Sequence, residues 1–132
     1  MSDWLRDFYD HVDRGGLDAV ADLVTEDLEF RIANSPVIRG RDAVISAERA
    51  FLTTIAGHTH TIVDVFHDGD TTFLEAVVTY TRLDGTTLDV PCATLLHRRG
   101  ALVDSMRVYL DDCAVFSAQP NTPRTDAVAV ES

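Results

Sequence analysis

At Gly57 the hydrophobic pattern changes period, and this change constrains the fold more than any other feature of the chain. Before it, apolar residues recur at helical spacing; after it, they alternate. Trp4, Leu5, Phe8 and Val12 form an i, i+4, i+8 stripe that predicts a helix over residues 3–14, stopped at Gly15-Gly16. Leu17, Val20, Ala21 and Val24 predict a second helix over 17–25. A short apolar strand follows at Leu28–Ile32 and is broken by Asn34-Ser35-Pro36. Gly40-Arg41-Asp42 opens a third helix, whose expected buried face is Ala43, Val44, Ala47, Phe51 and Ile55. Residues 60–67, 72–82, 87–98 and 101–111 then read as strands, separated by the turn signals Asp68-Gly69-Asp70, Asp84-Gly85 and Gly100. Three helices followed by a four-strand meander predict an α+β fold. Residues 117–132 contain no core pattern and are expected to form a flexible C-terminal tail on a domain spanning 1–116.

Composition narrows the function. The chain has 132 residues, the size of one domain. Its formal charge of −11 argues against nucleic acid, whose binding needs clustered cations, and against an anionic membrane surface. All 11 basic residues are arginine. Without lysine, Schiff-base catalysis and a Walker-type phosphate loop are both excluded. Cys92 and Cys113 form no CxxC pair, and Cys92 lies in an apolar strand, as a buried small hydrophobe does. The start, MSDWLRDFYD, has neither the basic nor the apolar region of a secretory signal, and no apolar run reaches the length of a membrane span. The expected location is cytoplasmic.

The segments DHVDRGGLDAVADLVTEDLE (10–29), NSPVIRGRDA (34–43) and the run from Tyr80 to Asp111 resemble the SnoaL-like group of the nuclear-transport-factor-2-like superfamily, over about residues 3–116. The resemblance implies a cone-shaped curved antiparallel sheet wrapped by three N-terminal helices. It also implies a homodimer paired through the outer sheet face. The group holds cyclases, ketosteroid isomerases, epoxide hydrolases, dehydratases and binding domains without chemistry, so the fold does not choose among them. The polar positions of the ketosteroid isomerases map to Phe8, Ile32 and Ala93, all apolar here. Of the epoxide hydrolase groups only the Asn before proline survives, as Asn34; the others fall at Ile32, Ala76, Val78 and Val108.

Alternation gives a reading independent of the resemblance. The even residues of 73–82 and of 102–111 are the more apolar and are pointed inward. The expected cavity is lined by Phe8, Val12, Phe30, Ile32, Phe51, Ala76, Val78, Ala93, Leu95, Met106, Val108 and Leu110. Tyr80 can donate a proton there, Asp104 lies on the inward register as an acid or base, His60 is a further acid/base candidate, and Asn34 can orient a water or carbonyl. The expected function is cofactor-independent acid/base chemistry on a small hydrophobic molecule. Two alternatives stand beside it: a binding or dimerisation domain, and a metal-dependent hydrolase using His58, His60 and Asp64 on one strand face.

Overall fold

The computed structural model describes residues 2–116. The order of elements is α1 (Asp3–Asp13), α2 (Leu17–Ala21), β1 (Val24–Ile32), β2 (Ile38–Arg39), α3 (Arg41–Leu52), β3 (Gly57–Asp68), β4 (Thr71–Thr81), β5 (Thr87–Arg99), β6 (Leu102–Tyr109) and a terminal 3₁₀ turn, Cys113–Phe116. The six strands form one curved, unclosed sheet in the order β2-β1-β6-β5-β4-β3. No helix among the described residues is long and apolar enough to cross a membrane.

The predicted α+β class and the four-strand meander are both present. The sheet is mixed, however, and not wholly antiparallel: β1 runs parallel to β6, with Phe30 beside Met106 and Ile32 beside Val108. The second helix is a single turn, ending at Ala21, so the chain enters β1 four residues earlier than its apolar run suggests. Val24 and Leu28 are buried strand residues, and a register shift between Val24 and Glu29 breaks simple alternation along β1. The β3–β4 hairpin closes with Gly69 at φ 59°, a left-handed geometry that glycine adopts without steric cost.

The core has two parts. One gathers Leu5, Phe8 and Tyr9 of α1 with Val44 of α3 and Leu74, Ala76, Leu96 and Val103 of the sheet. The other lies further along the strands and joins Ile55, Val78, Tyr80, Val90, Cys92 and Val108 to Val115 of the terminal turn. Arg82 fastens that turn down. Its guanidinium donates to the carbonyls of Val115 (3.2 Å) and Ala114 (2.9 Å) and to Thr86 Oγ1 (3.1 Å). At the other end, Arg98 lies 4.1 Å from the centre of the Trp4 ring and holds the start of α1 to β5 by a cation–π contact.

Several expected orientations are corrected by the pleat. Along β5 the buried set is Val90, Cys92, Thr94 and Leu96, so Ala93 and Leu95 belong to the outer face. A strand apolar on both sides cannot reveal its phase by hydrophobicity alone. In β6, Ser105 pairs with His97 and Val103 with the next residue, Arg98, leaving Asp104 as the extra residue of a bulge. Val103 is therefore the inward residue, 1% exposed, and Asp104 turns to His97. A second bulge between Ile62 and Asp64 in β3 breaks the face shared with the two histidines. Asp64 is exposed and accepts the Val65 N–H.

Candidate functional site

Helix α3 places a carboxyl among the apolar residues that bound the interior voids. Its inward stripe is Val44, Ile45, Glu48, Phe51 and Leu52, with one carboxyl among apolar groups; Ala43 and Ala47 are exposed. Glu48 stands where two voids meet. A cavity of about 200 Å³ is bounded by Phe30, Ile32, Ser35, Pro36, Ile38, Ala47, Glu48, Phe51, Asp112 and Phe116. A smaller void of about 60 Å³, walled by Phe8, Val12, Phe30, Val44, Glu48 and Met106 among others, lies on the other side of Phe30 and Glu48. Burial pushes the Glu48 carboxyl above the usual glutamate range, against a smaller downward pull from the charge of His60.

At the seam between α1 and β3 lies a carboxylate–imidazole pair. His60 Nδ1–H donates to Asp13 Oδ1 at 2.5 Å, and the His60 backbone N–H donates to Asp13 Oδ2 at 3.0 Å. Both atoms of one carboxylate are thus engaged by one residue, which sets the tautomer and the ring plane. The His60 ring packs 4.9 Å from Tyr9 and 5.4 Å from His58. His58 Nε2–H donates to the Val12 carbonyl at 3.3 Å. Its burial, and then the neighbouring charge of His60, lower its pKa below the usual 6.5. The folded state therefore disfavours a proton on His58 while the unfolded chain accepts one below 6.5. Stability from this residue is present above that pH and is lost as pH falls below it. We expect the melting temperature to fall more steeply from pH 7 to pH 5 in the wild type than in His58→Phe. Equal slopes would remove this account.

Of the four residues proposed as catalytic from the sequence, two meet the interior. Tyr80 pairs with His58 across the β3–β4 ladder and is 3% exposed. Its ring packs edge-on against Phe51, 6.3 Å between centres. Burial raises its phenol pKa, and the charges of Asp112, Cys92 and Glu48 add to the rise, so it is a donor and not a phenolate. His60 faces inward beside Val78. Asp104 is on the wrong side of the sheet, bonded to His97 Nδ1 at 2.6 Å. Asn34 is exposed at the apex of a turn in which Ala33 takes φ 53° and Ser35 N–H donates to the Ile32 carbonyl; Ser35 and Pro36 face the cavity in its place.

The apolar candidates divide similarly. Phe8, Val12, Phe30, Ile32, Phe51 and Met106 bound the voids. Ala76, Val78 and Val108 fill the core, and Leu110 packs against it. Sequence reasoning missed Glu48, Asp13 and Asp112. For Glu48 a signal existed, a carboxylate interrupting an apolar helical stripe. For Asp13 none existed, because its partner is 47 residues away. Among the described residues no group of three or more His, Cys, Asp or Glu is placed to hold a metal ion.

The model of the SnoaL-like domain matches residues 5–106. No curated protein matches the chain. Solved structures share its fold. A putative SnoaL-like polyketide cyclase from Jannaschia sp. CCS1 is 19% identical with a TM-score of 0.76, covering 91% of this chain and 91% of that one. An epoxide hydrolase like the limonene type (LEH-like), from M. tuberculosis, is 16% identical with a TM-score of 0.73, covering 82% and 80%. A hypothetical protein with a ketosteroid isomerase-like fold from Catenulispora acidiphila, in complex with trimethylamine, is 22% identical with a TM-score of 0.75, covering 83% and 85%.

Proposed function

The chain belongs to the SnoaL-like domain family, and from that premise we propose that it is an enzyme performing cofactor-independent acid/base chemistry on a small hydrophobic molecule. The reaction class is cyclisation, isomerisation, dehydration or epoxide opening. Each of these needs one proton donor, one acceptor and a shaped apolar cavity. The observation that carries the reading is Glu48, a carboxyl on the wall of a 200 Å³ apolar cavity, held toward its protonated form by burial. Across the same cavity, Asp112 supplies a second carboxyl. Glu48 gives a proton to a carbonyl, hydroxyl or epoxide oxygen, and Asp112 takes one from carbon or water, so no net proton is consumed.

The Asp13–His60 pair positions a charge that tunes Glu48 from the α1–β3 seam, and Tyr80 braces Phe51 from behind. The solved relatives named as a polyketide cyclase and an epoxide hydrolase support an enzymatic reading. The test is turnover of a panel of epoxides and polyketide-like ketones, followed by mass spectrometry, in the wild type and in Glu48→Gln. A ligand that binds and is never converted would favour the non-catalytic alternative.

The partner we propose is a second copy of the chain, docked on the outer sheet face. Phe66, Phe73 and Tyr109 are exposed there, at 57%, 41% and 52%, across three strands with Pro91, Ala93 and Leu95 between them. Phe66 and Phe73 are direct cross-strand neighbours. A two-fold pairing covers all three rings at once with the same surface. Sedimentation equilibrium is expected to give a dimer for the wild type and a monomer for the Phe73→Glu/Tyr109→Glu double variant. A monomeric wild type at high micromolar concentration would end this proposal.

A further inference from the structure

Resting on the reading of the 200 Å³ cavity as the substrate site, we propose that its substrate carries a positively charged nitrogen on an apolar body, a small amine or quaternary ammonium. The cavity wall holds three phenylalanine rings, Phe30, Phe51 and Phe116, together with the carboxyls of Glu48 and Asp112. Among the described residues the Ser35 hydroxyl is the remaining polar side chain, and no arginine or histidine lines the space. Neither carboxyl forms an ion pair among the described residues. With Glu48 held toward its neutral form by burial, the charge on this wall is that of Asp112, which repels carboxylate and phosphate ligands. It attracts a cation, and aromatic faces attract a cation a second time, through the ring quadrupole.

A metal ion does not fit this wall. A hard divalent cation on one or two carboxylates keeps most of its ligands as water, and a wall of phenylalanine, isoleucine and proline gives that hydrated shell few partners. An organic cation needs no such shell and gains from the phenylalanines. The size agrees: a cavity of about 150 Å³ holds benzene, so 200 Å³ takes a body of that class with a few further heavy atoms. The net charge of −11 draws cations toward the protein from solution. The nitrogen rests on the aromatic faces beside Asp112, whose carboxylate steadies it by charge and still takes the proton from carbon or water while Glu48 gives one.

Three probes of one shape separate charge from fit: choline, its neutral isostere 3,3-dimethylbutan-1-ol, and the anion 3,3-dimethylbutyrate. Their dissociation constants are measured on the full chain by titration calorimetry and by NMR shift. Choline is expected to bind about tenfold tighter than the neutral probe, and the anion weakest of the three. In Asp112→Asn the choline preference collapses while the neutral probe is unchanged. Added salt weakens choline alone. If the neutral probe binds as tightly as choline, the charge selection is wrong and the cavity remains a site for neutral molecules. If none of the three binds, the cavity itself is not the substrate site, and both readings fall.

Discussion

Glu48→Gln is expected to lower turnover of any converted substrate by about 10²- to 10⁴-fold, the usual contribution of a positioned general acid or base. The same substitution is expected to raise the stability of the protein at neutral pH. Burial raises the Glu48 pKa, so the folded state holds a proton that the unfolded chain has released above 4.5. Between the unfolded and the folded pKa, stability from this group declines as pH increases, and the ionised carboxyl is a burden above it. Glutamine keeps the shape and removes the charge. The melting temperature of Glu48→Gln should therefore exceed that of the wild type at pH 7 and approach it at pH 4. A variant that is less active yet no more stable would mean that Glu48 is solvated after all. One that is fully active would remove Glu48 from the chemistry. A stability gain paired with lost activity is the pattern expected where a site holds a group its surroundings disfavour.

Leu96→Ala is expected to destabilise the fold by about 2–5 kcal/mol, a large part of the roughly 5–15 kcal/mol that holds a typical domain together. Leu96 has no exposed surface, and in β5 it is flanked by Thr72 of β4 and Met106 of β6. Truncation leaves a hole that strands locked in a ladder cannot collapse to fill. Leu83, 69% exposed in the β4–β5 turn region, is the matched control, and its alanine variant should stay within about 0.5 kcal/mol of the wild type. Urea unfolding at an unchanged slope measures both. If the two variants differed by less than about 1 kcal/mol, the sheet's inner face would not be the packed core described above.

Much of the interior was legible from residue pattern. In β4 the alternation of Leu74, Ala76, Val78 and Tyr80 against Phe73, Glu75 and Val77 named the buried side correctly, because only one face is strongly apolar. In β5 the expected cavity lining placed Ala93 and Leu95 inward and left out Thr94, which is buried between Leu74 and Val108. There both faces are apolar, one against the core and one toward the outer surface, so periodicity carries no sign. Asp104 illustrates a different limit. One extra residue in β6 reverses the phase of the strand, and bulges are set by the pairing of two strands.

The sequence alone determined the helical stripes of α1 and α3, the four-strand meander and the family, since all of these are read from residue patterns along the chain. The tertiary structure alone decided that β1 runs parallel to β6 and that Asp13 meets His60. It also decided that Glu48 and Asp112 face one cavity. Those are contacts between residues dozens of positions apart. Such contacts depend on how the sheet curves and which strand edges meet, and no local spacing in the chain encodes that.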